Sequence, residues 1–204
     1  MSQNNATLPR IGIAGYMGAG KSACAKRCAE AAGMRIINAD AEAKLLMEND
    51  SRIRDELVRV FGPSIDKSGA LDFAALGAAA FASPADMQKL NNIVHPRLLR
   101  QLRDCVFSQP GPSVLDAALI PLWRIEDWFD RCLWIDAPSE LRRSRLVTKT
   151  GMPEALLRQR MLVQETLVAE PSGAQWTTIV NDGTFEELKN RVDRFINGPK
   201  FIKR

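Results

Sequence analysis

The sequence predicts a three-layer α/β/α domain built on a five-stranded parallel sheet, and three observations carry that prediction. A short apolar run leads straight into a glycine-rich loop and then a helical stretch. Further short apolar runs recur along the chain, separated by helix-forming segments. Acidic residues stand at or near the ends of several of these runs. Strands that alternate with helices pair in parallel and bury both faces.

In order, Ile11-Gly12-Ile13-Ala14 reads as the first buried strand, and residues 21–32 as a helix with small residues on one face. Residues 34–37 form a second apolar run that ends at Asn38-Ala39-Asp40. Residues 41–61 are expected to be helical, 62–72 a turn region, and 73–108 helical throughout. Within that last stretch Ser83-Pro84-Ala85-Asp86 marks a start: serine caps, proline fits the first turn, and aspartate suits the positive helix end. Residues 114–119 and 132–135 are read as core strands and 177–180 as the last strand. Thr184 and Glu187 have the spacing of a capping box for the closing helix. The predicted organisation is a disordered lead-in over residues 1–10 and one domain over 11–204. Two helical excursions interrupt it: an acceptor-gripping insertion at 62–112 and a lid at 146–172 that closes over phosphates and excludes water.

Composition narrows the class. Of 204 residues, 46% are hydrophobic and 25% charged, as in an average globular domain. No run approaches 18 apolar residues and the first ten lack a signal-type apolar segment, so a cytoplasmic location without a membrane partner is expected. Cys24, Cys28, Cys105 and Cys132 form no Cys-x-x-Cys pair, and one histidine is present, which argues against structural zinc. Cys24 and Cys28 share a helix face and read as small buried residues. The net charge of +4 suits a phosphate-rich small molecule. Basic residues are scattered, with a short tail at Lys200, Lys203 and Arg204, so no nucleic-acid partner is expected, and the chain should be a monomer or weak homo-oligomer.

Gly15-Tyr16-Met17-Gly18-Ala19-Gly20-Lys21-Ser22 has Walker A spacing. Glycines at 15, 18 and 20 let successive backbone N–H groups turn toward phosphate oxygens. Lys21 brings charge to the β/γ phosphates, Ser22 a hydroxyl to Mg²⁺, and the following helix its positive end. The predicted ATP-binding set is therefore Gly15, Gly18, Ala19, Gly20, Lys21, Ser22 and Ala23. The chain lacks the Asn-Lys-x-Asp motif of a GTPase, and the strand ending at Asp136 continues as Ala137-Pro138 rather than a motor's catalytic glutamate. A small-molecule kinase is the class that remains. Such an enzyme needs a carboxylate near the loop to orient the acceptor hydroxyl. Asp40, at the carboxyl end of the second strand, is the candidate, and it could also cap the next helix. Asp116 could hold Mg²⁺ through water or simply make a core hydrogen bond.

The chain resembles the dephospho-coenzyme A kinases over residues 9–197. The resemblance rests on the phosphate loop, Ile36-Ile37-Asn38-Ala39-Asp40, Lys67-Ser68-Gly69-Ala70-Leu71-Asp72 and Asn92-Ile93-Val94-His95-Pro96-Arg97. It extends to Asp136-Ala137-Pro138-Ser139-Glu140, Arg160 with Gln164, and Ile179-Val180-Asn181-Asp182-Gly183. It implies ATP- and Mg²⁺-dependent phosphorylation of the ribose 3′-hydroxyl of dephospho-CoA. It also implies Asp40, Lys21 and Arg145 as catalytic residues, His95 and Arg100 on the acceptor side, and Asn181 where adenine is held. The chain departs from the pattern at Asn38, at Lys149 in place of a second lid arginine, and at Gln175-Trp176. It also has no glutamate in register after Asp116-Ala117-Ala118-Leu119. A kinase for another hydroxyl acceptor and a nucleotide-sensing protein without turnover are the rival readings.

Overall fold

β1 (Arg10–Gly15) is buried from Ile11 onward, as a strand covered on both faces must be. The computed structural model describes residues 9–198, so the remainder of the expected lead-in and the basic tail lie outside the described residues. Pairing starts one residue earlier than expected: Arg10 registers with Ser113, and its N–H donates to Asp130 Oδ2 at 2.8 Å. Gly12 is required by packing, because a Cβ there would stand 2.8 Å from the Phe129 ring.

α1 (Lys21–Ala32) follows the loop and ends on left-handed Gly33. Next come β2 (Arg35–Asn38), α2 (Ala39–Asn49) and α3 (Ser51–Phe61). The single helix expected over 41–61 is thus two, since Asp50 adopts an extended backbone and its side chain caps α3 through Arg52 and Ile53 N–H. The turn region holds a 3-10 turn and a two-residue hairpin, β3 (Asp66–Lys67) with β4 (Ala70–Leu71). The helical stretch expected across 73–108 is α4 (Phe73–Ala80) and α5 (Pro84–Phe107), the second beginning at the start read from Ser83-Pro84-Ala85-Asp86. Ser83 is extended and caps α5 through the Asp86 N–H, a competing local bond that stops one helix and starts the next.

β5 (Ser113–Asp116) ends at Asp116, short of the expected 119, and is followed by the single turn α6 (Ile120–Trp123). The chain closes with β6 (Arg131–Asp136), α7 (Ser139–Thr150), α8 (Glu154–Leu167), β7 (Trp176–Val180) and α9 (Phe185–Asn197), the last begun by the Thr184–Glu187 capping box.

Among the described residues five strands form one parallel sheet in the order β2-β5-β1-β6-β7. Alternation divides the core between its faces. Cys132 and Trp134 of β6 pack with Ile53, Leu57, Leu98 and Leu102 of α3 and α5, while Leu133 and Ile135 pack with Cys24, Cys28, Val192 and Phe195 of α1 and α9. Truncating a fully buried residue such as Leu102 would cost about 2–5 kcal/mol. Among the described residues no helix is long and apolar enough to cross a membrane.

Candidate active site

The strand order sets β5 between β1 and β2, so the glycine loop, Asp40 and Asp116 all leave the same carboxyl edge of the sheet. That edge is where open parallel sheets bind ligands. The loop's shape is forced by its backbone. Gly15, Gly18 and Gly20 have φ of 143°, 77° and 108°. A Cβ on Gly15 would lie 2.2 Å from the Ile135 carbonyl oxygen, one on Gly18 2.7 Å from that of Arg142, and one on Gly20 2.4 Å from Asn181 Nδ2. Gly20, the N-cap of α1, has no side chain to satisfy the first-turn N–H groups, which leaves them free for an anion. Ala19 is buried inside the loop and Ala23 is half-buried behind it.

Lys21 folds back over the loop, its Nζ donating to the Tyr16 carbonyl at 3.2 Å. Burial pushes its pKa down, against the pull of the Asp116 and Asp40 carboxylates. Asp40 shows the complementary effect. Its carboxyl opens on solvent, yet crowding by protein raises its pKa, opposed by Lys21 and reinforced by Asp116. Asp40 does not cap α2. Asn38 does, its Oδ1 accepting the Ala41 N–H at 2.9 Å.

The Ser22 hydroxyl donates to Asp116 Oδ2 at 2.6 Å, and Asn38 Nδ2 reaches the same oxygen at 3.4 Å. Asp116 is 5% exposed. A hydroxyl beside a carboxylate is a hard-oxygen donor set that fits Mg²⁺. Among the described residues no group of three or more His, Cys, Asp or Glu side chains could hold a metal unaided, so an ion here would need phosphate oxygens as well.

A cavity of about 360 Å³ opens beside Lys21 and Asp40. Its walls are largely apolar, including Met47 of α2, Leu90, Val94 and Leu98 of α5, and Leu167 of α8. Two polar groups on α5 face it: Asn91, 4% exposed, and His95. The Trp123 indole N–H donates to His95 Nδ1 at 3.1 Å, so neutral His95 must carry its proton on Nε2. Burial lowers the His95 pKa to about 4. Arg100, by contrast, is exposed and does not line the cavity. It stands nine residues beyond Asn91, half a turn out of phase with the cavity-facing stripe of α5.

Three likenesses to known proteins bear on this arrangement. The family profile described as dephospho-CoA kinase matches residues 10–187. The chain belongs to the dephospho-CoA kinase family. It is 35% identical to the dephospho-CoA kinase of Corynebacterium jeikeium over 193 residues, covering 92% of this chain and 98% of that one. With that of Corynebacterium diphtheriae it shares 38% over 159 residues, 76% and 79% of the two chains. Among solved structures, TT1252 from Thermus thermophilus superposes with a TM-score of 0.68 at 27% identity, covering 93% of this chain and 96% of that one. The dephospho-CoA kinase from Campylobacter jejuni, at TM-score 0.56 and 17% identity over 94% and 97% of the chains, shares the fold.

Within this dephospho-CoA kinase fold the remaining sequence candidates fall at different depths. Arg145 of α7 reaches Asn181 Oδ1 at 3.4 Å through Nη2, while its Nη1 is buried without a partner. Lys149, one helical turn on, is exposed and close enough to depress the Lys21 pKa slightly. Asn181, 6% exposed, donates from Nδ2 to the Ala19 carbonyl at 2.7 Å, a contact that buttresses the loop from behind. Gln175, one of the departures from the family pattern, donates to the Glu126 and Phe129 carbonyls and fixes the turn before β6.

The sequence reading expected a lid at 146–172 over the phosphates but named none of the contacts that α8 makes with the loop. Gln164 Oε1 accepts the Met17 N–H at 2.7 Å, and the Tyr16 hydroxyl donates to the Val168 carbonyl at 3.0 Å. Arg142 pairs with Glu165 at 2.6 Å and lies 5.0 Å over the Tyr16 ring. The quoted pairing of Arg160 with Gln164 marked the segment but not its target.

Proposed function

We propose that this chain transfers the γ-phosphoryl group of ATP to the ribose 3′-hydroxyl of dephospho-CoA, giving CoA and ADP. The observation that carries the reading is the meeting of Lys21 and Asp40 at the mouth of one cavity, between a phosphate loop and a largely apolar chamber. Family membership supports the choice of acceptor.

The loop N–H groups and Lys21 bind the triphosphate and place its γ-phosphorus toward Asp40. Asp40 accepts the hydrogen of the 3′-hydroxyl and aims its oxygen at phosphorus. That oxygen forms the new P–O bond as the bond to the β–γ bridging oxygen breaks, and the departing proton passes to Asp40 or to solvent. Ser22 and Asp116 would hold Mg²⁺, which when bound neutralises charge on the β and γ oxygens. Arg145 of α7 adds positive charge from the lid side, and the Nε2–H of His95 donates to the acceptor. The apolar wall between α2 and α5 excludes water, which would otherwise compete as acceptor.

The test is ADP release from ATP and Mg²⁺ with dephospho-CoA, against adenosine, shikimate and gluconate as control acceptors. Release that depends on dephospho-CoA and yields CoA is expected. Equal release with a control acceptor, or none with dephospho-CoA despite ATP binding, rejects the assignment.

A further inference from the structure

Gln164 is tied to the phosphate loop by one end of its amide. A backbone N–H can only donate, so the 2.7 Å contact with Met17 N must be made by Oε1, and this fixes the orientation of the group. The Nε2 end remains, and no described residue accepts from it. Gln164 lines the same cavity as Lys21 and Asp40. The Met17 N–H that holds Gln164 and the Tyr16 carbonyl that holds Lys21 Nζ belong to a single peptide unit, so the amide and the ammonium flank one point of the loop. Just beyond Gln164 in sequence, Glu165 pairs with Arg142 of α7 and the Val168 carbonyl accepts from the Tyr16 hydroxyl, which holds the end of α8 beside the loop.

We propose that Gln164 is a catalytic residue whose Nε2–H donates to an oxygen of the phosphoryl group in flight between the loop and the acceptor, while Oε1 stays on Met17. The inference rests on the phosphoryl-transfer reading above but not on which acceptor is used. A neutral donor fixed by its other end stabilises charge that develops in transfer without reorganising to do so. Its role complements Lys21, which already meets the triphosphate in the ground state.

Q164A and Q164E separate this role from that of a strut. Q164E keeps an oxygen for the Met17 N–H, so its melting temperature should stay near wild type, yet it has no donor to offer. The direct measurement is calorimetric binding of Mg-ADP, alone and with aluminium fluoride as mimic of the transferring group. Both variants are expected to bind Mg-ADP within about twofold of wild type and to lose roughly 10- to 100-fold affinity for the fluoride complex, as for a hydrogen bond to a charged group. The kcat should fall by about 10²-fold with the ATP KM little changed. Equal fluoride affinity in all three proteins, or a Q164E kcat within about twofold of wild type, overturns the assignment and leaves Gln164 a strut. If wild type releases no ADP with dephospho-CoA, the acceptor assignment fails, whereas the fluoride complex still reads Gln164.

Discussion

The phosphate loop is a run of consecutive residues shaped by their own backbone, whereas the cavity beside it is walled by side chains from α2, α5, α8 and the segment before α6. In the loop, contacts within ångströms of the glycine Cα atoms dictate residue type position by position. In the cavity any well-fitting apolar side chain would serve at most places, and a few polar groups provide direction. The first region tolerates almost no change of residue, and the second should tolerate changes of residue but not of charge or donor placement.

The largest expected effect breaks the loop. Gly15→Ala forces a Cβ against the Ile135 carbonyl at a φ that L-residues avoid, so β1 and β6 must part. A loss of more than about 3 kcal/mol is expected, with a fall in melting temperature of roughly 10 °C and no ATP binding. Gly33→Ala is the control: its φ is also positive but nothing lies within 4 Å of the new Cβ, so calorimetric melting should shift by only about 1–2 kcal/mol equivalent.

Asp40→Asn tests the junction of the two regions. It should lower kcat by about 10²- to 10⁴-fold while Mg-ATP binds as in wild type. Near-normal turnover in a coupled ADP assay would remove Asp40 from the chemistry.

Trp123→Phe acts on the cavity alone. It keeps the ring but deletes the donor that fixes the His95 tautomer, so the acceptor KM should rise about tenfold and the ATP KM should hold. A matching rise in both constants would show that the regions are not separable.

The smallest effect is in stability against pH. The His95 pKa is lowered from 6.5 to about 4 by burial, so below pH 6.5 the unfolded chain takes up a proton that the folded chain refuses. Stability is therefore unaffected by this group above pH 6.5, falls as pH drops from 6.5 toward 4, and levels off below. The loss amounts to about 1 kcal/mol between pH 6.5 and 5.5. Urea unfolding of His95→Gln should lack that increment.

The same contrast explains what could be read before the structure. Gly15, Gly18, Gly20, Lys21 and Ser22 follow one another, and their spacing alone states the loop. The strands were legible because each is a short apolar run ended by a turn residue. The start at Ser83 was legible from its Ser-Pro-x-Asp pattern, but the break at Asp50 was not, since a capping side chain competes with helix continuation by a margin that helix propensity alone does not show. That Arg100 lies outside the cavity was not legible, because the face of α5 that turns inward depends on where α2 and α8 pack, which no local pattern records. Gln164 and Trp123 escaped a role for a related reason: each meets a partner far away in sequence, Met17 and His95, and neither pairing has a periodicity.

The central place of β1 bears on how the chain is made. It is the first described strand to leave the ribosome and the middle strand of the finished sheet, but its partners begin only at Ser113 and Arg131. At about 5–20 residues per second, roughly 5–20 s pass before either is synthesised. Throughout that interval an apolar segment has two unpaired edges open to wrong partners. Gly12, which the folded sheet needs to admit the Phe129 ring, also weakens the strand's own tendency to pair during that interval.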